Sequence, residues 1–366
     1  MKNKKVLALS GGGTGGHFYP LLAFLSYVLK KKAFEEVVFF GDKRGIEYKK
    51  RNLLKVDKVY FSSFRKFKGS STFGKFLYLL STSLEGIKIA NTLKGKSFVS
   101  LIFGGYTSVP LGLASRFKGR PLFIHEQNAV PGAANRVLSK FSRKVFLTFP
   151  GSERFFKTSR VEVVGLPLRE ELKKYKSLKR EAILKQPGWE DRFTLLILGG
   201  SQGAKTLNGL ALKLVPLLEG IRVIHITGER HFETVKKEYE KLPLKVELRI
   251  YPFVDDIGKL LRVSDFAISR AGASTSMELS FFGIPTIFVP YPYAVYNHQL
   301  FNARYFADGG GAFLFEEDKL EPTKVLGIIM EHIKDSRLLK ERSKLMERLF
   351  IPNSEEKILK NLVEEF

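Results

Sequence analysis

The sequence predicts an α/β protein made of two doubly wound, Rossmann-like domains with a cleft between them. Three observations carry that reading. Short apolar runs alternate with helix-like segments along nearly the whole chain, the rhythm of parallel strands covered by helices. The apolar run 6–9 leads into five glycines among residues 11–16, and a helix-like pattern follows at 21–29. The same grammar returns half a chain later. There the run 193–198 leads into Gly199, Gly200, Ser201, Gln202 and Gly203, then a helix-like stretch from Leu207. A strand, a glycine loop and a helix start form a cradle for phosphate or sugar. Glycine lets the backbone approach a ligand, and the first helical N–H groups carry the positive end of the helix dipole.

In chain order, the runs at 6–9, 37–40, 98–103, 122–124, 144–147 and 161–164 form the first set of strands. The runs at 193–198, 222–226, 248–251, 266–269, 286–289 and 312–315 form the second. The expected division is a first domain over 1–164 and a second over 165–345, with the tail 346–366 returning to complete the first. In that tail Asn353 caps a helix with Glu356 at the third position, and Ile358, Leu359, Leu362 and Val363 share one face. A chain of 366 residues suits two domains, at ~150 residues each. With no cysteine there is no disulfide, thiol nucleophile or thiolate metal site. The start, MKNKK, is basic, and the four apolar residues after it are too few for a secretory core. No run reaches the ~18 apolar residues of a spanning helix. The expected place is therefore the cytosol, with any membrane attachment from that side. The net charge of +24 fits nucleic acid, an anionic lipid surface or an unpartnered lysine-rich surface.

The first loop holds G-x-G-x-x-G as Gly11, Gly13 and Gly16, and Asp42 stands where a ribose carboxylate would. His17 follows the last glycine, where a dinucleotide loop has small residues. An exposed imidazole there is either a base or a structural donor, and its ordinary pKa near 6.5 suits removal of a hydroxyl proton. The second loop nearly spells a phosphate loop with Gly199, Ala204, Lys205 and Thr206. It lacks the glycine before the lysine, and no later strand ends in a magnesium-binding Asp, so an NTPase is excluded. Ser201 and backbone N–H groups can still hold a diphosphate, with Asn208 reaching the same cleft. At 269–278, SRAGASTSME, the groups of Gly272, Ser274 and Thr275 face an anion, and Glu278 can accept paired ribose hydroxyls. Asn297, His298, Gln299 and Asn302 suit sugar hydroxyls. In the first half, Tyr106 and Asn128 lie on strand-end loops, where open α/β sheets bind ligands. His125 and Glu126 are adjacent, so they point to different sides and make a poor catalytic pair.

The ordered set GGGTGGH, GGYTSVP, HEQNAVPGAANR, GLPLR, LGGSQGAKTLN, PFVDDI, SRAGASTSMEL and NHQLFNA, from Gly11 to Ala303, resembles the MurG family of peptidoglycan glycosyltransferases. The resemblance implies transfer of N-acetylglucosamine from UDP-N-acetylglucosamine to lipid I, giving lipid II. It also implies the GT-B fold, inversion without a covalent intermediate, and no cofactor or obligatory metal. By position, Val254 would meet uracil through its backbone and Glu278 the ribose. Ser201, Ser274 and Thr275 would face the diphosphate, Arg270 would neutralise it, and His298 and Gln299 would read the sugar. Arg169 and Asn208 count with these donor residues. Thr14, Gly15, Tyr106 and Asn128 would line the acceptor side, with His17 the base for the muramic 4-hydroxyl, a role worth ~10²–10⁴ in rate. Val109, Leu166 and Asn297 depart from the family's frequent glycine, asparagine and aspartate.

A lipid-linked acceptor implies a peripheral protein at the cytoplasmic face of the membrane. Phe61, Phe64, Arg65, Lys66, Phe67, Lys68, Phe73, Lys75, Phe76, Leu77 and Tyr78 interleave basic and apolar groups. Arg116, Phe117 and Lys118, then Lys140, Phe141, Arg143 and Lys144, repeat the pattern. Such sets attach reversibly to anionic phospholipid. Nucleic acid is not an expected partner, because no aromatic RNA-binding signature accompanies the charge. Another GT-B UDP-sugar transferase or epimerase is the enzyme alternative.

Overall fold

The computed structural model describes residues 4–63, 72–185, 189–200 and 203–366. The chain divides into two compact units, Met1–Arg169 with Ile351–Phe366, and Glu170–Phe350.

The first unit is built on seven strands: β1 (Lys5–Ser10), β2 (Glu36–Asp42), β3 (Lys58–Ser62), β4 (Ser97–Ile102), β5 (Leu122–Glu126), β6 (Lys144–Leu147) and β7 (Val161–Val163). They pair in parallel in the order β3-β2-β1-β4-β5-β6-β7. The central strand explains the sheet. Val6, Leu7, Ala8 and Leu9 have no exposed surface. Leu7 and Leu9 join Phe18, Leu21 and Phe24 of the helix Gly15–Lys31 and Ile358 and Leu362 from the chain's end. Val6 and Ala8 join Ile89, Ala90 and Leu93 on the other face. Period-two side chains with both faces covered give a continuous apolar run.

β3 is absent from the sequence-based set of strands. It is an edge strand with Val59 and Tyr60 exposed, so it lacks the apolar signature of its neighbours. Phe61 lies on it and packs inward, edge-on to Phe39 and Tyr48. It therefore does not belong with the exposed basic–aromatic stretch in which the sequence placed it.

The second unit has six strands: β8 (Thr194–Leu198), β9 (Glu219–Ile226), β10 (Lys245–Tyr251), β11 (Phe266–Ser269), β12 (Thr286–Phe288) and β13 (Ala312–Leu314). All are parallel, in the order β10-β9-β8-β11-β12-β13. In both units the winding reverses beside the first strand. The crevice at the carboxyl ends of the strands on either side of that reversal is where such sheets bind ligands.

The segment 165–169 goes with the first unit for a physical reason. The Leu168 N–H donates to Glu355 Oε1 at 2.9 Å, and Ser354 Oγ donates to Gly165 O at 3.1 Å. These contacts tie the segment to the helix Ser354–Val363. The expected capping by Asn353 does not form. Asn353 sits in the left-handed region at φ 63° and makes no side-chain cap bond. Residues 346–350 stay with the second unit, where the Met346 carbonyl accepts from Ser280 Oγ at 2.7 Å.

Candidate active site

In the first unit the loops after β1, β4 and β5 meet. Gly13 takes φ 79° and Gly105 φ 79°, a region that side chains disfavour. A Cβ on Gly105 would strike the Gly12 carbonyl and fall 3.2 Å from His17 Cδ2, and one on Gly12 would overlap the Glu47 carboxylate. The loops therefore touch through glycine, and Thr14 and Gly15 start the helix beyond them. Glu47 is fully buried and accepts from the N–H groups of Gly13 at 2.8 Å and Asp42 at 3.2 Å. An internal carboxylate thus already occupies part of this cradle, so the loop suits an alcohol better than a phosphate. Asp42 is also buried and holds the Arg44 guanidinium through two bonds, at 2.9 and 2.7 Å. That pairing corrects its reading as a ribose carboxylate.

His17 is half-buried, and its Nδ1 lies 2.7 Å from Gln127 Oε1. Tyr106 lies against Gly13. Burial first, then Asp42 and Glu47, push its phenol up to about 12, so it stays protonated. Glu126 organises the loop after β5. It accepts from the N–H of Asn128 at 2.9 Å, the N–H of Gly132 at 3.1 Å and Asn135 Nδ2 at 2.8 Å. His125 faces away from Glu126 and into the core; burial lowers its pKa to about 4.

In the second unit the loops after β8 and β11 stand side by side, since those strands are neighbours. Ser201 lies outside the described residues. Gly272 precedes the helix Ala273–Phe282, and Thr275 and Glu278 are part-exposed on its first two turns. Among the described residues Ser274 Oγ is buried without a hydrogen-bond partner, a cost of about 1–3 kcal/mol that a ligand can relieve. Val254 follows β10 and is part-exposed. The chain turns into the helix His298–Asp308 through Tyr296 and Asn297, both left-handed at φ 53° and 54°. His298 Nδ1 donates to Val295 O at 2.8 Å, and Gln299 Oε1 accepts from the Tyr291 N–H at 3.0 Å. The turn thus fixes both side chains that the sequence assigned to the sugar.

Two donor-side expectations need correction. Asn208 is buried and bonded inside the unit, donating to Thr227 O at 3.1 Å and accepting from His225 Nε2 at 3.0 Å. Arg270 is buried, and its charge is met by Glu317 at 2.6 Å, with the carbonyls of Val289 and Pro290 each at 3.0 Å. Glu317 also accepts from Thr206, so Arg270 organises these loops and is not a bare counter-charge. Arg169 ends the first unit, with its guanidinium 5.9 Å over the Tyr19 ring. Among the described residues no three His, Cys, Asp or Glu side chains cluster to hold a metal ion.

Sequence reasoning missed Glu47, Gln127 and Glu317. Gln127 stands inside the HEQN motif, but an amide carries no titration to attract notice. Glu47 and Glu317 reach their loops from 34 and 111 residues away, respectively, and no local pattern encodes such contacts.

Two parallel doubly wound units with glycine-lined strand ends define the GT-B class of nucleotide-sugar enzymes. The model for the glycosyltransferase family 28 N-terminal domain matches residues 7–147, and that for its C-terminal domain matches 194–360. A curated N-acetylglucosamine transferase from Aquifex aeolicus, acting by its name on N-acetylmuramyl-(pentapeptide) pyrophosphoryl-undecaprenol, is 42% identical over 98% of this chain and 100% of its own length. The enzyme of the same name from Sulfurihydrogenibium is 36% identical over 99% of each. The crystal structure of Acinetobacter baumannii MurG superposes with a TM-score of 0.77 at 28% identity, covering 99% of both chains. A UDP-GlcNAc 2-epimerase from Neisseria meningitidis shares the fold, with a TM-score of 0.70 at 14% identity over 98% of this chain and 100% of its own. The chain belongs to glycosyltransferase family 28.

Proposed function

We infer that this protein transfers N-acetylglucosamine from UDP-N-acetylglucosamine to the muramic 4-hydroxyl of lipid I, giving lipid II and UDP in peptidoglycan synthesis. The full-length kinship with transferases of that name carries the reading, and the epimerase shares only the fold. His17, half-buried in a glycine cradle, is the base. It takes the acceptor hydroxyl proton as the oxygen–C1 bond forms. The C1–oxygen bond to the diphosphate breaks, and its electron pair leaves with UDP. Thr14, Gly15, Tyr106 and Asn128 shape the acceptor pocket. Ser274, Thr275 and the helix start at Ala273 meet the diphosphate, an electrostatic role suited to fixed N–H and O–H dipoles. Ser201, on the preceding loop, joins them. Glu278 holds the ribose, Val254 the uracil, and His298 and Gln299 the sugar. No resident metal is required.

Attachment to anionic phospholipid at the cytoplasmic face fits this reaction, because a nucleotide-sugar donor is intracellular. No helix among the described residues is long and apolar enough to cross a membrane. The helix Thr72–Thr92 exposes Leu79, Leu80, Leu84 and Ile87, and Phe117 is 51% exposed. Gly86 lets that helix lie against the helix Val109–Phe117, where a Cβ would fall 3.1 Å from Leu113 Cβ and 3.4 Å from the Phe117 ring. The exposed residues thus form one apolar surface. Lys88 and Arg116 stand within it in sequence. Of the other basic–aromatic stretches, residues 64–71 lie outside the described residues. Phe141 packs on the core, while Arg143 and Lys144 pair with Glu365 and Glu162.

The test is transfer of labelled sugar from UDP-N-acetylglucosamine in the presence of EDTA. Label is expected in lipid II, formed from added lipid I, and not in soluble sugars. Transfer only to a soluble acceptor, or a requirement for added magnesium, would contradict this assignment.

A further inference from the structure

His17 is held by a relay whose polarity is fixed by two carbonyl oxygens. His125 Nε2 lies 2.9 Å from Gly165 O. A carbonyl only accepts, so Nε2 carries the hydrogen, and Nδ1 of this neutral, fully buried ring offers a lone pair. Gln127 Nε2 sits 3.0 Å from that lone pair and 2.9 Å from His125 O. Both partners accept, so this end of the amide is the NH₂ group and both its hydrogens are used. The other end, 2.7 Å from His17 Nδ1, is the amide oxygen. It also only accepts, so His17 Nδ1 must donate. Gly165 O is itself anchored, because it accepts from Ser354 Oγ as well. The relay is buried from Gln127 onward, so water does not compete for its bonds.

We propose that Gln127 and His125 are positioning residues that lock His17 as the Nδ1–H tautomer and leave its Nε2 lone pair as the atom that takes the acceptor proton. Neither residue touches substrate. Without such a partner both tautomers of a neutral histidine are populated, and only one has the base at the right atom. The relay resembles the orienting half of a Ser-His-Asp triad. A carboxylate would also attract the imidazolium, whereas an amide fixes orientation alone. The proposal rests on His17 being the base.

Long-range ¹H–¹⁵N correlation of the ¹⁵N-histidine-labelled full chain, at a pH where His17 is neutral, reads the tautomer directly. Wild type is expected to show His17 protonated at Nδ1 and bare at Nε2. Gln127→Leu is expected to mix the tautomers and lower kcat at least ~10-fold with an unchanged KM for UDP-N-acetylglucosamine. His125→Phe should have a smaller effect on both, since His125 O still holds one amide hydrogen. A wild-type His17 protonated at Nε2, or wild-type kcat in Gln127→Leu, overturns the relay. Full turnover in His17→Ala overturns instead the base assignment beneath it, whatever tautomer the spectrum shows.

Discussion

At the scale of single residues, the two glycine loops differ in what already fills them. Near the first, Glu47 bonds to the Gly13 N–H. Near the second, Ser274 Oγ is buried and has no partner among the described residues. An unmet hydroxyl at a helix start is a cost to the free protein and a benefit to a bound anion. Ser274→Ala is therefore expected to leave the melting temperature of the free protein unchanged or raised, while weakening UDP by about 1 kcal/mol, or ~5-fold. Calorimetric titration beside a thermal melt checks both; unchanged UDP affinity would remove Ser274 from the diphosphate site. At this scale the sequence was partly legible. Placement on an element is local and could be read: His17 stands at a helix start after its glycines, and Glu278 lies on the helix Ala273–Phe282. Asn208 and Arg270 misled because each is satisfied by partners distant in sequence, His225 and Glu317. Side-chain type reveals a capacity, and only the fold reveals whether that capacity is already used.

At the scale of elements, the strands were legible because burial on both faces writes a continuous apolar run, as in β1 and β8. β3 was not, since an edge strand mixes polar and apolar residues. The helix Thr72–Thr92 shows a further limit. The sequence reading of a membrane-attaching stretch stops at Tyr78, yet further along the helix Leu84 is 52% and Ile87 47% exposed, on one face at helical spacing. Leu84→Glu is expected to lower binding to phosphatidylglycerol vesicles by at least ~10-fold, the size of burying one leucine. UDP affinity should not change. Co-sedimentation reads the first and titration the second, and undiminished vesicle binding would remove this helix from the membrane surface.

At the scale of the whole molecule, neutral histidines sit in both cores. Burial lowers His125 to about 4 and His225 to about 3, and also lowers His332. In the unfolded chain each titrates near 6.5. Between these values the unfolded chain binds more protons, so stability is full above about pH 6.5 and is lost as pH falls toward 4. His125 alone should contribute on the order of 3 kcal/mol across that window. Thermal melts from pH 7.5 to 5 are expected to show a falling midpoint, and a flat or rising midpoint would contradict neutral cores.

In the proposed reaction the two units divide the labour, with donor grip in the second and proton removal in the first. His17→Ala measures that division most directly, by kcat with lipid I beside the dissociation constant for UDP-N-acetylglucosamine. The account predicts a ~10²–10⁴-fold fall in kcat with donor affinity unchanged. Turnover near wild type, or a loss confined to donor binding, would contradict it.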